Sequence, residues 1–203
     1  RVRRLMKELG IRSIIRRRRY PKGTPQSGVV KCPNILARDF KAEGPGQKLV
    51  SDITYLFVGS QRYYLSAVMD LFNNEIVSYK LSKFNNNQLV NDTIEKLLIK
   101  KKDVTGAILH SDQGHQYTSK QINYLLKRYG IIQSMSRKGN PLDNAPIESF
   151  FGHLKCEAIY SSNIKSFEEL NSVIEEYLYF YNNERPQKRL NKMAPVEYLN
   201  RCS

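Results

Sequence analysis

The chain has 203 residues, room for one good core with a small appendage but not for two full domains, and no apolar run approaches the roughly 20 residues of a membrane span. Three widely spaced cysteines, Cys32, Cys156 and Cys202, exclude a disulfide framework or a zinc cluster and point to a reducing cytosol. The net charge of +14 is lopsided: residues 1–48 carry fourteen Lys and Arg against three acids, so +11 of it lies at one end.

In chain order, Val2, Leu5, Met6 and Leu9 repeat at helical spacing and Gly10 stops them, which predicts a short amphipathic helix with a glycine C-cap. Arg at position 1, with no apolar signal region after it, suggests a chain that begins inside a longer reading frame and is not secreted. The run Arg16-Arg17-Arg18-Arg19 before Tyr20-Pro21 suits an arm lying along phosphates, although such runs also occur as solvated tails. Residues 20–47, with four prolines and several glycines, read as an irregular basic linker.

From about Lys48 three β-rich runs follow, over 48–58, 63–71 and 75–81. Gly59-Ser60 and Asn73-Asn74 separate them with turn chemistry, so an antiparallel meander is expected. Leu89, Ile94, Leu97 and Leu98 predict a helix ending near Lys100-Lys101-Lys102, and 107–110 reads as a short buried strand. Thr118 with Gln121 forms a capping box that opens a helix to about Tyr129, and 131–135 reads as a last strand. Helices are predicted over about 145–159 and 166–181, the second boxed by Ser166 and Glu169. Hairpin-linked strands followed by strands alternating with helices make an α/β mixed five-stranded sheet flanked by helices, the element order of an RNase H-like fold.

Three acids stand out by position. Asp52 interrupts the apolar, β-branched run Val50-Ser51-Asp52-Ile53-Thr54-Tyr55, where a buried acid needs a partner. Asp112 follows the short strand in His110-Ser111-Asp112-Gln113-Gly114, at a strand end where ligands commonly bind. Glu148 opens a helix in Asn144-Ala145-Pro146-Ile147-Glu148-Ser149-Phe150-Phe151, with Lys155 two turns on and nearly the same side. Singly, a salt-bridged strand acid, a turn aspartate and a helix-dipole glutamate explain them as well. Of the other polar candidates, Asp70 and Asp92 read as structural and Asp143 as a helix N-cap. His110 reads as support for the Asp112 loop or as a satisfied buried histidine. Tyr177, Tyr179, Phe180 and Tyr181 read mainly as packing.

Taken together, with 35 residues between Asp112 and Glu148, the three acids resemble those of the DDE transposases and retroviral integrases. The resemblance is strongest to insertion-sequence transposases encoded by two overlapping reading frames. The strings above carry it, with Gln116-Tyr117, Gly139-Asn140-Pro141-Leu142-Asp143-Asn144-Ala145, Tyr181-Asn182-Asn183-Glu184-Arg185-Pro186 and Ala194-Pro195-Val196-Glu197-Tyr198, in order from about Asn34 to Leu199. Leu49 stands where the family usually has Trp, and Gln187 where it often has His. The resemblance implies an integrase-type catalytic core over 48–160 and a helical extension over 161–203. Residues 1–19 would be the remnant of a DNA-binding helical region.

It also implies metal-dependent DNA cleavage and strand transfer by Asp52, Asp112 and Glu148, which would hold Mg²⁺ or Mn²⁺, two ions per site. Lys155 and Arg16, Arg17, Arg18 and Arg19 would contact phosphates. The implied partners are double-stranded DNA, as terminal inverted repeats and target, and further copies of the chain in a synaptic complex. No membrane is involved, and the implied location is the bacterial cytoplasm, at the nucleoid. A ribonuclease H or junction-resolving nuclease shares this fold and metal chemistry, and a catalytically decayed DNA-binding remnant is the third reading.

Overall fold

A computed structural model describes residues 2–11, 30–101 and 104–202. The meander consists of β1 (Lys48–Val58), β2 (Gln61–Asp70) and β3 (Ile76–Ser82), and β4 (Ile108–Ser111) and β5 (Ile132–Met135) complete the sheet in the order β3-β2-β1-β4-β5. The meander is antiparallel, while β1–β4 and β4–β5 are parallel. Gly59, at φ +57°, opens the two-residue turn between β1 and β2, a position that side chains disfavour.

The helices are α1 (Val2–Glu8), α2 (Asn87–Lys100), α3 (Lys120–Arg128), α4 (Ala145–Leu154), α5 (Phe167–Asn183) and α6 (Pro195–Cys202). Their starts follow side-chain capping: Asn86 accepts from the Leu89 N–H at 3.1 Å and Ser166 from the Glu169 N–H at 3.1 Å. The predicted cap of α3 is one residue off. Ser119 accepts from the Ile122 N–H, while the Thr118 hydroxyl turns back to donate to the Gly114 and His115 carbonyls. α4 also departs from expectation, because a π-turn over Lys155–Ile159 replaces the regular helix predicted to 159.

Strand alternation divides the apolar side chains between two faces. Val50, Leu56, Leu65, Ala67 and Met69 pack against Ile147, Phe150, Leu154, Leu170, Ile174 and Tyr181 of α4 and α5. Leu49, Val68, Val77 and Leu109 pack against Val90, Ile94, Leu97, Ile122 and Leu126 of α2 and α3. The result is a sheet between two helical layers. The irregular segment 30–47 lies on this body: Leu36 is buried, and the Ile35 and Leu36 N–H groups donate to Ser134 Oγ at 2.9 and 3.1 Å. Among the described residues no helix is long and apolar enough to cross a membrane. All three cysteines are free.

Candidate active site

Asp52 sits on β1 in the row that faces α4 and α5, paired across β2 with Ala67. Its neighbour Ser51 faces the other way, its hydroxyl 2.7 Å from the phenol of buried Tyr117. The parallel register sets Leu49 beside Leu109 and Val50 beside His110, so two further steps bring Asp112 alongside Asp52. β4 ends at Ser111, and Asp112 stands on the loop that follows. Asp112 Oδ1 accepts from the Gly114 N–H at 2.8 Å. A Cβ at Gly114 would lie 2.8 Å from that oxygen, so only glycine leaves the turn undisturbed. Gln113 donates to the Ser136 carbonyl at 2.9 Å and Gln116 to Asn85 Oδ1, tying the loop to both neighbouring segments.

Glu148 comes in from the first turn of α4. Asn144, which precedes that helix, donates to the Ser51 carbonyl at 3.1 Å and anchors the helix start beside Asp52. Ile147, Phe150, Phe151 and Leu154 are buried, leaving Glu148 half-buried at the edge of the apolar stripe.

Asp52 senses the other two acids. The Asp52 carboxyl is held well above the usual carboxylate range, chiefly by burial, then by the negative charge of Asp112, with Glu148 adding to it. The Ile53 N–H, 2.7 Å from Asp52 Oδ1, and the Lys155 ammonium oppose that shift. Asp112 has open surface, yet protein packed around its carboxyl raises its pKa against the Gly114 N–H and His115. As the side chains stand, no three His, Cys, Asp or Glu among the described residues are drawn together into a metal cage.

Lys155 lies in the π-turn, with its ammonium 4.8 Å from the centroid of the Tyr55 ring. Two residues on, Glu157 accepts from the Tyr177 hydroxyl at 2.9 Å and from Arg185 at 2.6 and 2.9 Å, fastening the turn to α5. Arg16, Arg17, Arg18 and Arg19 lie outside the described residues.

The remaining candidates prove structural. Asp70 pairs with Leu49 on the opposite face from Asp52 and is held by the Gly46 N–H and Lys101. Asp92 accepts from Gln88. His110 is buried between Ser134 and Ser136 Oγ, at 2.8 and 3.0 Å, and burial lowers its pKa. Ser134 already accepts two backbone N–H groups, so its proton points at His110 Nδ1 and the neutral ring carries its own on Nε2.

Asp143 is a correction: it caps no helix. It lies in the 3₁₀ turn Pro141–Asn144 and accepts from Arg38 Nε at 2.7 Å, Arg137 Nη2 at 2.8 Å, Arg137 Nε at 2.9 Å, the Arg137 N–H at 3.0 Å and Asn34 Nδ2 at 3.1 Å. These donors hold its carboxyl far below the usual range. No periodicity marks this hub, because two of its donors come from the irregular segment.

Residues 42–141 and 148–202 match two families, each described as an integrase core domain. InsK of insertion sequence element IS150, from Escherichia coli K12, is 42% identical over 199 residues, 98% of this chain and 70% of that protein. The transposase InsF of insertion sequence IS3A, from the same organism, is 32% identical over 197 residues, 97% of this chain and 68% of InsF. The HTLV-2 integrase catalytic core domain in complex with magnesium aligns with a TM-score of 0.60 at 14% identity, covering 77% of this chain and 97% of that one. A chain of the simian T-cell lymphotropic virus intasome aligns with a TM-score of 0.62 at 16% identity, over 94% of this chain and 62% of its own length. At such identities the structural likeness speaks for the fold alone, that of an RNase H-like integrase core.

Proposed function

This chain belongs to the IS3 family of DDE transposases, and from that premise we propose that Asp52, Asp112 and Glu148 together hold the divalent metal used to cut and join DNA at insertion-sequence ends. The observation that carries this reading is the Asp52 carboxyl, raised by its own burial and by the charges of Asp112 and Glu148. Carboxylates from three elements repel one another, and a hard divalent cation is the species that relieves such crowding. The donor set fits that role. Asp52 and Asp112 each have Oδ1 engaged by a backbone N–H, which orients the carboxylate and leaves Oδ2 for coordination.

When bound, Mg²⁺ or Mn²⁺, as a pair, supplies a Lewis acid for the phosphate and an acidified nucleophile. The chain supplies fixed geometry: Asp52 from a central strand, Asp112 from a loop laced to both flanks, and Glu148 from a helix tied to β1 through Asn144. Water first attacks the phosphodiester at the element's end and frees a 3′-hydroxyl. That hydroxyl then attacks a second phosphodiester at phosphorus and displaces its 3′ oxygen, so no covalent protein–DNA link forms. Lys155 neutralises a phosphate oxygen beside the reacting bond. Arg16, Arg17, Arg18 and Arg19 supply sequence-independent affinity farther along. The partners are double-stranded DNA, as terminal repeats and target, and further copies of the chain assembled on it.

The test is strand transfer with DNA carrying the terminal repeats of the protein's own element, in Mg²⁺ or Mn²⁺. Changing Asp52, Asp112 or Glu148 to Ala should remove the joined product while DNA binding persists. Joined product surviving any of these changes overturns the assignment, and nicking without any joined product in the unaltered protein points to a plain nuclease.

A further inference from the structure

β1 and β2 run on past the middle of the sheet. β4 pairs with β1 only as far as Val50, whereas the β1–β2 pairing continues to Val58 and Gln61. Along this projecting hairpin Leu56 and Val58 of β1 are buried in the core on the α5 side. The alternate positions, Tyr55 and Phe57 with Arg62 opposite Phe57, are not needed there.

Their side chains form a ladder of rings and cations. The Lys155 ammonium lies 4.8 Å from the Tyr55 centroid, and the Arg62 guanidinium lies 5.7 Å from Tyr55 and 5.3 Å from Phe57. The two rings meet edge to face at 5.6 Å. Phe57 is 46% exposed and Arg62 is exposed as well, an arrangement that does little for the core. Among the described residues Arg62 makes no ion pair. A ring face holds a cation in place without cancelling its charge, so the ladder presents an ordered positive charge to solvent.

By strand alternation the ladder stands on the face of β1 opposite to Asp52, and Lys155 links the two. Lys155 acts electrostatically on Asp52 and touches Tyr55, three residues farther along β1. At about 3.3 Å per strand residue, Tyr55 and Phe57 lie roughly 10 and 17 Å from Asp52.

We propose that Tyr55, Phe57 and Arg62 form a phosphate track for the DNA strand leaving the active site, with Arg62 on a phosphate a few nucleotides from the reacting bond. The position of that phosphate rests on the carboxylate assignment above; the contact itself does not. Arg62 is the binding residue, and Tyr55 and Phe57 are positioning residues that fix its guanidinium.

The experiment measures binding of a labelled duplex carrying the element's terminal repeat, in EDTA, over a range of salt concentrations. Arg62→Ala should make the log–log salt slope shallower by about 0.9, the loss of one phosphate contact, while Arg62→Lys keeps the slope. Phe57→Leu should weaken binding at every salt concentration and leave the slope near that of the unaltered protein. A neutral methylphosphonate walked along the phosphates next to the reacting bond should weaken the unaltered protein at one position and add nothing there to the loss in Arg62→Ala. An unchanged slope in Arg62→Ala, or equal methylphosphonate losses in both proteins, overturns the proposal. So does a change in oligomeric state with DNA binding intact, which would make the hairpin a contact between copies. Because EDTA removes metal, the result is independent of catalysis. Failure of the carboxylate assignment would show instead as joined product surviving Asp52→Ala, with the Arg62 slope change still present.

Discussion

Replacing Asp143 with Asn tests how the start of α4 is held. The Asp143 side chain is fully buried, while its ion-pair partners Arg38 and Arg137 are 39% and 59% exposed. Removing one partner of a wholly buried ion pair costs about 3–5 kcal/mol, since the other charge is stranded. Here the stranded guanidiniums can turn to water, which screens the loss, but the Arg137 N–H and Asn34 must find a weaker acceptor. The expected cost is therefore about 2–3 kcal/mol, or a fall of roughly 5–10 °C in melting temperature for a domain of this size. The sign with pH follows from the depressed carboxyl. A lowered folded-state pKa adds stability above the unfolded value of about 4 and loses it as pH falls through the folded value. Thermal melts of both proteins at neutral pH should differ by the full amount, and the gap should narrow below about pH 4. Equal melting temperatures at neutral pH, or a gap that widens in acid, would refute the reasoning. Since Asn144 follows directly and anchors α4 to the Ser51 carbonyl, strand transfer by the variant should fall even at temperatures where it remains folded.

Asp52→Asn should melt at or above the unaltered protein at neutral pH without metal, because a raised acid pKa costs stability as pH climbs from the unfolded value toward the folded one. Added Mn²⁺ should raise the melting temperature of the unaltered protein and not of this variant; an equal gain in both would remove Asp52 from the ligand set. Gly114→Ala places a Cβ 2.8 Å from Asp112 Oδ1, so the carboxylate must turn away. Strand transfer should then need more Mn²⁺ for half its maximum while the melting temperature barely moves, and an unaltered metal requirement would count against Asp112. Tyr117→Phe removes the hydroxyl that meets Ser51, which keeps its bond to the Ala67 carbonyl. The cost should be about 1 kcal/mol in denaturant unfolding, and a loss above about 3 kcal/mol would mean that the phenol holds more than this contact.

Local energetics made much of this molecule legible in advance. Alternation in β1, turn residues at Gly59-Ser60 and Asn73-Asn74, and polar caps such as Ser166 act within a few residues, so the meander, the mixed sheet and most helix limits follow from short-range pattern. An acid inside an apolar strand marked Asp52 for the same reason. Side chains whose partners are distant in sequence escaped that reading. Asp143 looked like a cap, but Arg38, 105 residues away, and Arg137 claim its carboxylate. Thr118 was the expected cap, but the loop after β4 uses its hydroxyl and Ser119 caps the helix instead. A regular helix through Lys155–Ile159 was the local preference, and Glu157, gripped by Tyr177 and Arg185 of a later segment, sits in the π-turn found there instead. The Arg62 ladder had no signal in sequence at all, because a cation between two rings arises only when strand pairing sets residue 62 opposite residue 57. Backbone preferences are decided among neighbours along the chain. The partner of a buried charge, or of a stacked cation, is decided by which distant segments the core brings within a few ångströms.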